Sequence, residues 1–275
     1  MTRSPDDTAA IQQRLKALGP MIKGIFKVAG AQGISLAVSN HCEPIYCTSF
    51  GFADLETKKV ATGSTRFPIG TMAKTFTAAA ISVLVADGKM EWDTPIKRII
   101  PELQTTSATV TESLTIVDLL SHRSGLGRSN YWWQGAEATL LLKKDILPYY
   151  NALPNTGQFR ASWAYSNWGY ALAGEVIERV SGKTYAQYLK EKVYTPLGME
   201  NITVDPMCTS VALGLASPYA ALDDSSHYPL PQPPVTGGTI MDSALGGVST
   251  VDDLMNYSIG LMETFHDESG LQISN

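Results

Sequence analysis

The feature that most narrows the fold is a pair of strand-like runs with no room between them for a crossover. Gly33 to Ser39 alternates apolar and small residues, Ser39-Asn40-His41 supplies turn chemistry, and Pro44 to Phe52 reads as the returning strand. A parallel crossover needs about a dozen residues or more, so the two runs predict an antiparallel hairpin. Helix signals flank it. Before it, Ile11, Leu15, Leu18, Ile22 and Ile25 recur at roughly helical spacing from about Asp7 to Val28, with Pro20 placed to bend or interrupt the helix. After it, beyond a loop with Gly63 and Ser64, an alanine-rich helix is expected over Thr71 to Asp87. It carries Phe76, Ala79, Ala80, Val83 and Leu84 and is closed by Gly88.

Short helical segments follow through Leu103 and around Ile116 to Leu120. The stretch 124–165, rich in Gly, Trp, Tyr and Asn, is expected to form surface loops with one helix near Ala136 to Leu142. Trp168 to Val180 predicts a helix with the stripe Leu172, Val176 and Val180, stopped by Gly182. Thr184 with Gln187 is a capping box for a helix ending near Val193. Residues 205–238 are proline-rich and read as irregular, and Thr250 with Asp253 caps a final helix over Val251 to Thr264. The order of elements predicts an α+β fold: an antiparallel sheet flanked by helices, with an inserted, mostly helical subdomain. The expected divisions are 1–80 (N-terminal helix, hairpin and the 71–87 helix), 81–205 (helical part) and 206–275 (return to the α/β part).

Bulk properties exclude several functions. With 275 residues, 44% of them apolar, the chain can bury one large core or two intimate ones. A net charge of −5 argues against a nucleic-acid partner. No apolar run reaches bilayer length, so no membrane partner is expected. Residues Met1 to Asp7 lack the apolar core of a secretory signal, which points to a cytoplasmic protein. The cysteines Cys42, Cys47 and Cys208 are too few for a disulfide framework. The four histidines show no HExxH or CxxC spacing, so no metal is expected, and no cofactor either. Gly182-Lys183-Thr184 is not a phosphate loop, because position 177 is Ile where that motif requires Gly.

Chemistry concentrates in two segments. In Phe67-Pro68-Ile69-Gly70-Thr71-Met72-Ala73-Lys74, Thr71 opens a helix and Lys74 lies on the same face one turn later. Free N–H groups at a helix start favour a developing oxyanion, and a desolvated lysine can act as a base. Taken alone, the pair reads more simply as a helix cap and a solvated first-turn residue. In Tyr165-Ser166-Asn167, which directly precedes a helix, a phenol can carry protons and an amide can orient a lysine or a substrate. Here too the plain reading is a packed aromatic and a cap. The Trp132-Trp133 and Tyr149-Tyr150 pairs could line an apolar pocket or pack in the core.

Together these segments resemble the serine β-lactamase and penicillin-binding-protein superfamily, in the branch of class C β-lactamases, D-aminopeptidases, esterases and fungal transesterases. The resemblance runs through most of the chain: Gly51 to Thr57, Arg66 to Thr77, Leu84 to Pro95, Ile100 to Leu103, Thr115 to Leu126, Tyr165 to Asn167, Pro196 to Met199 and Gly246 to Leu254. It implies a β-lactamase/transpeptidase-like fold and acyl transfer through a covalent intermediate. Thr71 takes the nucleophile position and its backbone N–H one oxyanion-hole position. Lys74 would activate the nucleophile, Tyr165 would carry protons to and from the leaving group, and Asn167 would hold the lysine and the substrate. By the same resemblance His122 sits in a structural turn.

Two departures stand out. The family has serine where this chain has Thr71, whose methyl stiffens χ1 and crowds the line of attack. Family members also continue past the Gly246-Gly247 region into strands that complete the sheet and supply a second oxyanion-hole N–H. This sequence stops at Asn275, so the sheet is expected to be incomplete: either a second chain or fragment supplies those strands, or the sequence is truncated before them. The resemblance thus implies a hydrolase or transesterase acting on a small ester, amide, lactone, lactam or thioester, plausibly in natural-product metabolism. Two alternatives stay open: an isomerase, cyclase or lyase using Lys74 and Tyr165 for proton transfer, and a catalytically inactive binding protein.

Overall fold

The computed structural model describes residues 5–130, 141–204, 214–224, 226–231 and 238–266. Its elements run α1 (Pro5–Ala17), α2 (Gly19–Val28), β1 (Gly33–Asn40), β2 (Glu43–Asp54), β3 (Lys59–Val60), β4 (Phe67–Pro68), α3 (Ala73–Ala86), α4 (Ile96–Ile99), α5 (Ala108–Ser113) and α6 (Ile116–Leu120). Then come α7 (Ile146–Asn151), α8 (Asn167–Ser181), α9 (Tyr185–Leu189), β5 (Tyr219–Ala221), β6 (His227–Pro229), α10 (Asp242–Leu245), β7 (Val248–Ser249) and α11 (Val251–His266).

The antiparallel hairpin forms as expected, with Gly33 opposite Gly51 and Asn40 opposite Glu43. Its turn falls on His41 and Cys42, both at positive φ (50° and 63°), the pattern of a turn whose twist matches the strands. β3 adds a short third strand beside β2, so β1 is an edge strand among the described residues. Helix α11 packs on β1, and α1 on β2. The expected N-terminal helix is two helices broken at Leu18, with Pro20 in the first turn of α2, where its missing N–H costs nothing. None of the α2 side chains is buried, and Val28 is 90% exposed.

The core lies among the helices. Phe76, Ala80, Ile81 and Leu84 of α3 are fully buried, as are Trp168, Leu172, Val176 and Ile177 of α8. Helix α8 packs against α3, α6, α7, α9 and α10, which makes it the hub. It ends where expected, on Gly182 in the left-handed conformation (φ 70°). The predicted Thr184–Gln187 capping box is formed, and Thr250 Oγ1 accepts from the Asp253 N–H at 3.1 Å.

Two local expectations change. The region 124–165 holds helix α7, and Pro148 is tolerated there because it falls in the first turn. Within it Tyr150 is buried and Tyr149 stacks on Trp168, with ring centroids 6.0 Å apart. The irregular 205–238 stretch contains the small β5/β6 hairpin. The helix expected near Ala136, the Trp132-Trp133 pair and Cys208 lie outside the described residues. Among the described residues, Cys42 and Cys47 are free thiols, and no helix is long and apolar enough to cross a membrane.

Candidate active site

The segment that carries Thr71 is held from one side by the chain's return. Strand β4 pairs with β7, Phe67 opposite Ser249, and the Ile69 N–H donates to the Gly247 carbonyl at 3.1 Å. Gly70 has φ +53°, a conformation that disfavours any residue with a Cβ. Residues Gly70–Met72 form a 3-10 turn, and α3 proper begins at Ala73. Thr71 therefore sits two residues ahead of the helix rather than as its first residue, and it is exposed. A cleft of about 290 Å³ between β1 and α11, lined in part by Gly33, Ser35, Met72, Val251 and Leu254, reaches the neighbouring Met72, but Thr71, Lys74, Tyr165 and Asn167 are not among its walls.

Lys74 faces inward. It shares the face of α3 that carries Thr77, Ile81 and Leu84, and only 7% of it remains exposed. Its ammonium donates to Asn167 Oδ1 at 2.7 Å and to the Ala244 carbonyl at 2.7 Å. The Tyr165 and Tyr170 rings lie 4.9 Å and 5.3 Å from it by their centroids, a cation–π arrangement. Burial disfavours the charged form and lowers the lysine from 10.5 to about 8.

Tyr165 lies in the extended segment before α8. Its hydroxyl oxygen is buried and has no hydrogen-bond partner among the described residues. Burial pushes the phenol upward, and the neighbouring Thr71 hydroxyl works in the opposite direction without completing a well-formed hydrogen bond. Ser166 caps α8, accepting from the Gly169 N–H at 3.2 Å, and so places Asn167 in the buried first turn.

The turn after α6 straps this segment down. His122 adopts φ +61°, and its Nδ1 accepts from the Ser166 N–H at 3.1 Å, which puts the ring proton on Nε2. The Ala164 N–H donates to the His122 carbonyl at 3.0 Å, and the Tyr170 hydroxyl to the Leu120 carbonyl at 2.9 Å. The His122 ring packs 4.7 Å from that of Tyr165. Burial, then the charges of Lys74 and Arg128, lower the His122 pKa.

Lys74, Tyr165 and Asn167 thus share one volume, with Thr71 at its mouth. The Ala244 carbonyl and the Tyr170 ring complete the surroundings of the lysine, and neither was foreseen. Tyr170 lies three residues beyond Asn167, one turn along the same helix face, which is the signal that could have found it. A backbone carbonyl carries no residue signature at all. No group of three or more His, Cys, Asp or Glu among the described residues is placed to hold a metal.

Comparison with known proteins bears on the family. The family model described as Beta-lactamase matches residues 12–273. An unguisins hydrolase of Aspergillus campestris is 27% identical over 248 residues, covering 86% of this chain and 45% of that protein. The esterase EstB of Burkholderia gladioli is 30% identical over 244 residues, covering 82% of this chain and 61% of its own length. The octameric penicillin-binding protein homologue from Pyrococcus abyssi superposes with a TM-score of 0.80 at 25% identity, covering 94% of this chain and 58% of that one. The chain spans about half the length of the curated relatives it matches.

Proposed function

The chain belongs to the beta-lactamase family, and from that premise we propose an acyl-transfer enzyme that works through a covalent ester on Thr71. The observation that carries the reading is the state of Lys74: buried, tied to two acceptors, lowered to about 8, and set against the Tyr165 ring. At pH 7 such a lysine is neutral in roughly a tenth of molecules, enough for a base to act at neutral pH. Tyr165, pushed upward, keeps its proton and is suited to be the acid.

In the proposed reaction neutral Lys74 takes the Thr71 hydroxyl proton as Oγ1 attacks the carbonyl carbon. The Oγ1–carbon bond forms and the carbonyl π pair moves to oxygen, where the Thr71 N–H serves as a donor. When the intermediate collapses, the bond to the leaving group breaks and Tyr165 supplies the proton that group needs. The proton on Lys74 then returns to the phenolate. Water or an alcohol repeats the sequence on the acyl-enzyme, so the net reaction is hydrolysis or transesterification. Asn167 holds the lysine throughout. Small esters, amides, lactones, lactams and thioesters are the proposed substrates. A relative named for hydrolysing unguisins supports a natural-product substrate. The edge position of β1 among the described residues supports further strands joining there, from another segment or a second chain.

The test compares wild type, Thr71→Ser and Thr71→Ala for turnover of activated esters and labelling by a serine-hydrolase probe. Ala is expected to abolish both, and Ser to retain or raise them. Normal turnover of the true substrate by Thr71→Ala would falsify the covalent mechanism. One observation favours a second reading, in which Lys74 and Tyr165 alone move protons: both are shielded while Thr71 is exposed. In that case Thr71→Ala stays active but Lys74→Ala and Tyr165→Phe do not. If all three variants behave like wild type, a binding protein remains.

A further inference from the structure

A second charged cluster lies behind the site, buried at Asp242 and partly exposed at Lys143 and Glu178. Lys143 donates to Glu178 Oε1 at 2.7 Å and to Asp242 Oδ2 at 2.8 Å, and its ammonium lies 5.6 Å from the Tyr185 ring centroid. Asp242 is 1% exposed; it also accepts from the Gly238 N–H at 3.3 Å, and its Oδ1 has no partner among the described residues. Glu178 Oε1 accepts from the Tyr185 N–H at 2.6 Å as well. Desolvation offsets much of the attraction in a buried ion pair, so such a cluster contributes little net stability. What it does supply is fixed geometry.

The geometry it fixes is that of α10. A four-residue helix has no stability of its own, and its N-cap, Met241, makes no side-chain cap bond. Its three leading residues are instead tied down from outside. Asp242 is held by Lys143. The Ser243 carbonyl accepts from Thr77 Oγ1 at 2.6 Å, and the Ser243 hydroxyl donates to the Tyr170 carbonyl at 2.9 Å. The next carbonyl, that of Ala244, receives the Lys74 ammonium. The stem of Lys143 is anchored in turn, because Leu142 bridges Thr239 just ahead of α10.

We propose that Lys143, Asp242 and Glu178 act as positioning residues for Lys74: they hold α10 so that the Ala244 carbonyl stays on the ammonium and water stays out. This rests on the acyl-transfer reading only for its kinetic consequence. The groups facing Lys74 are Asn167, the Ala244 carbonyl and the Tyr165 and Tyr170 rings, with His122 close enough to feel its charge. When α10 loosens, water reaches the lysine, and its titration moves back toward the ordinary value of 10.5.

The experiment titrates Lys74 by NMR in protein carrying ¹³C-labelled lysine, with the signal assigned by its loss in Lys74→Met. Asp242→Asn and Lys143→Met are compared with wild type, and folding is verified by circular dichroism. Both variants are expected to raise the Lys74 titration by about half a unit or more. On an activated ester, kcat is expected to fall about tenfold with KM within about twofold. Should both variants fail to fold, Glu178→Gln, at the rim of the cluster, is expected to shift Lys74 in the same direction by a smaller amount. A folded variant in which Lys74 titrates as in wild type overturns the proposal and leaves the cluster a structural strut. The NMR titration needs no turnover, so an inactive wild type would count against acyl transfer alone.

Discussion

Replacing Lys74 with methionine should reveal how much the fold gives up to keep a charged lysine inside. Burial lowers this lysine from 10.5 to about 8. At 1.36 kcal/mol per unit, that gap disfavours the folded state by about 3 kcal/mol while the lysine is charged in both states. Below pH 8 folded and unfolded chains are both protonated and the whole penalty applies. Between 8 and 10.5 the unfolded chain holds the extra proton, so the penalty shrinks as pH rises, and above 10.5 it is gone. From pH 7 to pH 10 the relief amounts to about 2.5 kcal/mol. Lys74→Met has no such relief, so its stability relative to wild type should decline by about that amount over the interval. Urea unfolding followed by tryptophan fluorescence at pH 7, 8, 9 and 10 measures the difference; groups that do not feel Lys74 cancel, and the one neighbour shown to feel its charge, His122, titrates below this interval. A difference flat to within about 0.5 kcal/mol, or one that moves in the variant's favour as pH rises, would refute the burial argument.

Three further outcomes are expected. Tyr165→Phe keeps the ring on Lys74 and His122 but removes the proposed proton donor, so kcat on an activated ester should drop about 10² to 10⁴-fold with the melting temperature nearly unchanged. Gly174→Ala would bring its Cβ to 2.3 Å from Ser243 Oγ, where α8 and α10 meet, and should cost about 1–3 kcal/mol in a denaturant titration. Burial, aided by the Lys74 charge, lowers His122 below its ordinary 6.5, so stability should fall as pH drops from 6.5 through that lowered value. A His122→Gln variant compared with wild type at pH 7 and pH 5 should lack that fall.

What could be read from the sequence follows from how local each signal is. The β1/β2 hairpin shows in alternation alone, because strand pairing across a short turn needs no distant partner. The β5/β6 hairpin did not show, since three-residue strands ending at Pro229 hold too few positions to alternate. Helix α7 did not show in the 124–165 stretch read as loops; its Pro148 falls in the first turn, where it removes an N–H that had no partner to lose. Within the site, Thr71, Lys74, Tyr165 and Asn167 were visible as ordered motifs. The depth of Lys74 was not, because it depends on α8 and α10 closing over α3. His122 was read as part of a structural turn. Its positive φ and its bond to the Ser166 N–H show what that turn holds: the segment carrying Tyr165.

The two acceptors of Lys74 lie 93 and 170 residues further along the chain. A ribosome therefore finishes the Thr71–Lys74 turn long before it makes the carbonyl at Ala244. Throughout that interval the lysine is wet, fully protonated and useless as a base. If the proposed reaction holds, the Thr71 hydroxyl stays unarmed until the late segment folds back over the early one.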